Sequence, residues 1–135
     1  MRRIAIISDT HNLLRPQVLE RLADADVILH AGDVSSPDTL EALRDLGRDL
    51  YLVRGNNDWS LDPRIPPTLT VSIEGVTFFL VHNQRDVPPG LSGVDVVVYG
   101  HSHRYAREER RGVLWLNPGS CGPRRFHQEI TLLTG

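Results

Sequence analysis

Short apolar runs, each ending in polar residues, recur along this chain. Ile4-Ala5-Ile6-Ile7 is uninterrupted and largely β-branched, the pattern of a central strand buried on both faces, and it runs into Ser8-Asp9-Thr10-His11. Residues 16–23 change period: Pro16 suits a first helical turn, and Val18, Leu19 and Leu22 form one apolar face. Val27-Ile28-Leu29 predicts a second strand, ending in His30-Ala31-Gly32-Asp33. A second helix opens at Ser36-Pro37-Asp38 with Ser36 as cap, carries Leu40, Leu43 and Leu46, and stops at Gly47. Leu50-Tyr51-Leu52-Val53 predicts a third strand, followed by Arg54-Gly55-Asn56-Asn57-Asp58. Strands alternating with helices through short links predict parallel pairing and right-handed crossovers.

The second half reads differently. Residues 68–73 and 76–81 flank Glu74-Gly75, a hairpin signal. The second of these runs leads into His82-Asn83-Gln84. After the Pro88-Pro89-Gly90 link, residues 94–99 predict a strand that ends in Gly100-His101-Ser102-His103. Residues 105–107 and 113–116 predict another hairpin around Arg111-Gly112, and Asn117-Pro118-Gly119-Ser120 follows. Residues 130–133 close the sheet. Two sheets packed face to face with helices outside would bury these runs. Asp9, Asp33, Asn56, His82, His101 and His103 all follow strand-like runs, and ligands of open α/β sheets sit beyond the carboxyl ends of strands.

Composition narrows the class. The 135 residues fit one domain, residues 1–135, long enough for a core without disulfides. A net charge of -2 argues against general attraction to nucleic acid or anionic membrane. All 15 basic residues are Arg, the side chain suited to bidentate phosphate contacts. The single Cys121 fits a reducing compartment. Met1-Arg2-Arg3 precedes only four apolar residues, too few for a signal peptide or membrane span, so a cytoplasmic location is expected.

The residues after the strands are oxygen and nitrogen donors: Asp9, His11, Asp33, Asn56, His82, His101 and His103. They favour Mn²⁺, Fe²⁺ or Zn²⁺ over softer metals. One ion does not need so many ligands, so two are expected, roughly 3.5–4 Å apart, the spacing that clamps the attacking and leaving oxygens of phosphoryl transfer.

Asp9-x-His11, Gly32-Asp33, Gly55-Asn56-Asn57-Asp58, His82 and Gly100-His101-Ser102-His103 together resemble the calcineurin-like metallophosphoesterase family. The resemblance runs from about Ile4 to Ser120, and the short length and Asn117-Pro118-Gly119-Ser120 are similar to its small single-domain phosphodiesterases. It implies a four-layer α-β-β-α sandwich of the α/β (α+β) class. It implies that Asp9, His11 and His103 bind one divalent ion, that Asn56, His82 and His101 bind a second, and that Asp33 bridges them. The implied ions are Mn²⁺ first, with Ni²⁺, Zn²⁺, Fe²⁺ or Mg²⁺ as alternatives. The implied reaction is hydrolysis of a small phosphodiester by in-line attack of a metal-bridging hydroxide.

Two positions depart from the family pattern. Asn57 stands where many members have a His that assists the leaving group; Asn can donate a hydrogen bond but supplies no proton. His82-Asn83-Gln84 stands where relatives commonly read His-Gly-His, and Gln84 cannot act as a base. Asp58 is expected to orient a ligand His or Asn. His30 is read as a core residue at a strand end, His127 as a surface residue, Cys121 and Trp115 as packing residues, and Trp59 as a candidate for the pocket mouth. Arg104, Arg107, Arg110 and Arg111 with Glu108-Glu109 are read as a solvated hairpin with paired charges. Arg104, beside His103, and Arg124 and Arg125 are candidate phosphate contacts. Two rival functions stand beside the phosphodiesterase: a non-enzymatic scaffold resembling the retromer subunit Vps29, and a phosphomonoesterase or nucleotidase. Monomer and homo-oligomer are equally compatible with the sequence.

Overall fold

Alternation along the apolar runs builds three layers of core. In a computed structural model, which describes residues 3–10, 16–35, 37–56, 58, 64–102, 104–119 and 131–134, nine strands form two sheets. The strands are β1 (Arg3–Ile7), β2 (Val27–His30), β3 (Asp49–Leu52), β4 (Thr68–Ile73), β5 (Val76–Val81), β6 (Val96–Val98), β7 (Ala106–Arg110), β8 (Val113–Asn117) and β9 (Thr131–Thr134). The first sheet has the order β3-β2-β1-β9, the second β4-β5-β6-β8-β7. Ile4 and Ile6 point inward to meet Phe78, Leu80, Val96, Val98 and Leu116 of the facing sheet. Ala5 and Ile7, one step out of phase, point outward and pack with Leu22, Leu40 and Leu43. Those three belong to helices α1 (Pro16–Ala23) and α2 (Pro37–Arg44), which cover the first sheet. Phe79, Val81, Val97 and Tyr99 form a third cluster on the outer face of the second sheet.

The parallel pairs expected from the chain order are present: β1 with β2 and β2 with β3 in the first sheet. In the second sheet β5, β6 and β8 are mutually parallel. Their carboxyl ends therefore point one way within each sheet. Both hairpin turns have positive φ at two successive residues, Glu74-Gly75 and Arg111-Gly112, the conformation that two-residue hairpins prefer. Gly47, with φ 70°, ends α2 and donates from its N–H to the Arg44 carbonyl at 3.1 Å. The Ser36 cap lies outside the described residues.

Boundaries shift slightly from those read in the sequence. β6 has three residues instead of six; before it, the Asp95 N–H donates to Thr77 O at 2.8 Å, its carbonyl accepts the Leu114 N–H at 3.0 Å, and its Oδ2 accepts the Thr77 N–H at 2.8 Å. The expected sandwich is present, and its fourth layer is thin. Residues 82–95 cover the outer face of the second sheet, and the helical structure they contain is a 3-10 turn, Gln84–Asp86. Pro88 and Pro89 lack the N–H groups that a longer helix would need. No helix among the described residues is long and apolar enough to cross a membrane.

Phe78 is 1% exposed at the centre of the inter-sheet core. Phe78→Ala should cost about 3–5 kcal/mol in urea unfolding, because the β-sheet backbones on both sides cannot close the cavity. A loss below about 1 kcal/mol would contradict this placement.

Candidate metal centre

Five loops leave the carboxyl ends of β1, β2, β3, β5 and β6, and they are stitched together. The Asp9 N–H donates to Gly32 O at 2.9 Å, and the Gly100 N–H donates to His82 O at 2.9 Å. The His101 N–H donates to Asp9 Oδ2 at 3.0 Å, joining the two sheets. Three loop residues, Asp9, Asp33 and His101, hold φ values of 52°, 64° and 74°. Left-handed backbone at non-glycine residues costs about 1–3 kcal/mol each, so the surrounding bonds must hold it.

At the junction lie Asp9, Asp33 and His82, all buried, with donor atoms within 4.8 Å of one another. His82 Nε2 is 3.3 Å from Asp33 Oδ2 and 3.8 Å from Asp9 Oδ1. It makes no hydrogen bond of good geometry, although it is buried. Its other nitrogen, Nδ1, donates to Ala31 O at 2.9 Å. A carbonyl only accepts, so Nδ1 carries a proton and Nε2 faces the two carboxylates, where its lone pair could meet a cation in the neutral ring. That is the tautomer of a metal-ligating imidazole oriented from behind. Two carboxylates and one imidazole lone pair aimed at a shared point fit a divalent cation.

Without a cation the same cluster attracts a proton. Burial lowers the pKa of His82, but the Asp33 and Asp9 carboxylates and the Ala31 carbonyl outweigh it and leave it above the ordinary 6.5. A raised histidine pKa stabilises the metal-free fold at low pH, and that contribution fades as pH rises through the raised value.

Asp58 is fully buried and organises two loops by itself. Its Oδ2 accepts the N–H groups of Asp33 and Gly55, each at 2.8 Å, and its Oδ1 accepts the Ser35 N–H at 2.7 Å. Its partners are therefore backbone groups rather than the ligand side chain expected. Arg54 Nη1 donates in turn to the Asp58 carbonyl. Two glycines make the close approach feasible. A Cβ at Gly55 would stand 2.2 Å from Asp33 Oδ1, and one at Gly100 would stand 2.5 Å from Asp9 Oδ2.

Three further residues hold the ligand loops. Ser8 Oγ donates to Asp9 Oδ2 at 2.8 Å and lies 3.3 Å from Gly119 O. His30, fully buried, accepts the Gly32 N–H on Nδ1 at 3.0 Å; its Nε2 then carries the proton and donates to Thr10 Oγ1 at 3.0 Å. It is a core residue, as expected, and it also ties the loop after β1 to the loop after β2. Asn117 Nδ2 donates to Gly100 O at 3.2 Å and to Ser102 Oγ at 3.1 Å, while its Oδ1 accepts the Gly119 N–H. The Asn-Pro-Gly turn was visible in the sequence, but the role of Asn117 in gripping the His101 loop was not.

Of the expected ligands, Asp9, Asp33 and His82 are brought together. His101 is exposed beside them, its ring 5.2 Å from that of His82 in an edge-on arrangement. Asn56 is exposed in the turn next to Gly55, which packs on Asp33. His11, Asn57 and His103 lie outside the described residues, as do Trp59, Cys121, Arg124, Arg125 and His127.

Known proteins resemble this chain in sequence and in fold. A family model described as the calcineurin-like phosphoesterase superfamily domain matches residues 1–135. The chain is 30% identical to phosphodiesterase MJ0936 of Methanocaldococcus jannaschii, over 88% of this chain and 84% of that one. It is 30% identical to phosphodiesterase YfcE of Escherichia coli K12, over 89% of this chain and 79% of that one. A solved structure of YfcE superposes with a TM-score of 0.72. Vps29 of Entamoeba histolytica, solved with Zn²⁺, superposes with a TM-score of 0.72 at 28% identity, over 88% of this chain and 74% of that one. With a family model matched over its whole length and a two-sheet sandwich, the chain belongs to the calcineurin-like phosphoesterase superfamily.

Metal binding should compete with the His82 proton. Calorimetric affinity for Mn²⁺ should fall about tenfold per pH unit below the raised pKa and level off above it. An affinity flat between about pH 5.5 and 8 would contradict this role for His82. Gly55→Ala pushes a methyl group onto Asp33 and should lower the affinity about 10–100-fold with the circular dichroism spectrum unchanged. Wild-type affinity in that variant would refute the close-packing argument.

Proposed function

We propose that this chain is a phosphoric diester hydrolase working with two divalent ions at the edge where the strands end. The observation that carries this reading is the buried Asp9–Asp33–His82 cluster, in which the Ala31 carbonyl fixes Nδ1 and Nε2 faces two carboxylates. The relatives named phosphodiesterases support the substrate class, a small phosphodiester. In this reading Asp9, His11 and His103 hold one ion, Asn56, His82 and His101 hold the other, and Asp33 contributes to both. Mn²⁺ is the favoured occupant, with Ni²⁺, Zn²⁺, Fe²⁺ and Mg²⁺ as substitutes. Such ions supply a nucleophile at neutral pH and neutralise charge on the phosphate during in-line displacement.

The residues of the chain do the rest. Asp58 holds the Asp33 backbone through the 2.8 Å bond and keeps the bridging carboxylate at its angle. Asn57 donates a hydrogen bond to the leaving oxygen and supplies no proton. The leaving group must therefore depart largely as its own anion, which favours acidic alcohols. A single domain over residues 1–135, a cytoplasmic setting and no stable nucleic-acid or membrane partner complete the proposal.

A scaffold of the Vps29 type is the second reading. It is favoured by the structural likeness to Vps29, one example of which was solved with Zn²⁺, so metal binding by itself does not exclude it. Turnover separates the two. Bis(p-nitrophenyl) phosphate should be hydrolysed with added Mn²⁺, and Asp33→Ala should lower kcat at least about 100-fold. Chelated protein should be inactive and recover with metal. Turnover unaffected by Asp33→Ala, or none with any of the five metals, would move the assignment to the scaffold. At saturating Mn²⁺, aryl phosphodiesters should outpace alkyl ones; equal rates would refute the limit set by Asn57.

A further inference from the structure

Behind the loop that follows β5, the thin fourth layer leaves a cavity that shares Gln84 with that loop. It has a volume of about 530 Å³ between the 82–95 segment and the outer face of the second sheet. Small-molecule sites commonly measure about 300–1,000 Å³, so the volume is adequate. Its walls are apolar: Val87, Pro88, Leu91, Val94, Val113 and the ring of Trp115. Gln84, Ser92, Arg110 and Arg111 supply the polar part of the lining, and none of the lining residues is acidic. None of the metal-ligand candidates lines it either.

The two guanidinium groups differ. Arg110 lies over Trp115, with Cζ 4.4 Å from the ring centroid, and its Nη2 is 3.4 Å from Gln84 Oε1. Its Nε is paired with Glu108, so its charge has an acidic partner. Arg111 makes no ion pair or hydrogen bond among the described residues. The cavity thus combines an aromatic and aliphatic interior with one uncompensated positive charge, in a chain whose net charge is -2. A neutral apolar ligand would not need Arg111, and a polyanion would have to desolvate against the apolar wall. An organic anion with an aromatic or alkyl body and a single acidic head group matches both parts.

We propose that this cavity is a second binding site, separate from the metal centre, for an amphipathic organic monoanion such as an aryl carboxylate or sulfonate. The body packs between Trp115 and Leu91, and the head group meets Arg111.

The probe is 8-anilinonaphthalene-1-sulfonate, with N-phenyl-1-naphthylamine as its uncharged counterpart. Each is titrated into the whole chain by calorimetry and followed by amide chemical shifts. The sulfonate should bind saturably with one site per chain and shift the amides of residues 87–94 and 111–115. Arg111→Asn removes the charge while suiting the left-handed turn, where Arg111 has φ 51°. It should weaken the sulfonate about tenfold and leave the amine unchanged. Leu91→Trp fills the cavity and should weaken both probes. No saturable binding, equal weakening of both probes by Arg111→Asn, or sulfonate binding indifferent to Leu91→Trp would each overturn the proposal. Concentration-dependent dimerisation abolished by Leu91→Trp would overturn it in favour of a contact between two copies of the chain.

Discussion

The fold is organised around two carboxylates withdrawn from water. Asp9 and Asp33 are 0% and 2% exposed, and both face the same buried imidazole. A buried carboxylate costs several kcal/mol unless its lone pairs are met by donors or a cation. One oxygen of Asp9 is met by Ser8 and the His101 N–H. On the Asp33 side, the backbone is fixed by the carboxylate of Asp58. Asp9 Oδ1, Asp33 Oδ2 and His82 Nε2 converge on one point, an arrangement that a proton satisfies partly and a divalent ion satisfies well.

The rest of the architecture serves that convergence. Parallel strands deliver their carboxyl ends to one side, which antiparallel hairpins alone would not do. The inter-sheet core of Ile4, Ile6, Phe78, Leu80, Val96 and Val98 holds the two sheets at a fixed separation. Loops from opposite sheets can then meet through the His101 N–H to Asp9 and the His82 Nδ1–H to the Ala31 carbonyl. The left-handed backbone at Asp9, Asp33 and His101 is local strain that this core offsets. The close approach at Gly55 and Gly100 lets bare backbone lie against the two carboxylates.

Much of this was legible in the sequence, for physical reasons. Ile4 to Ile7 reads as a doubly buried strand because it has no polar face, and it packs on both sides as such. Glu74-Gly75 reads as a turn because Gly75 suits the left-handed backbone there, with φ 81°. Asp9, Asp33 and His82 were legible because each falls within a few residues of the end of an apolar run. The supports were not, since their chemistry depends on partners distant in the chain. Ser8 and Gly119 are 111 positions apart, and Asn117 and Gly100 are 17 apart. Nothing local distinguishes the packing role of His30 from its bonding role.

The most direct test of the central claim is anomalous diffraction from crystals soaked in Mn²⁺ and recorded at the manganese edge. Two peaks roughly 3.5–4 Å apart, with an Asp33 oxygen within bonding distance of both and His82 Nε2 bonded to one, are predicted. A single peak remote from Asp33, or none within the Asp9–Asp33–His82 cluster, would contradict the account.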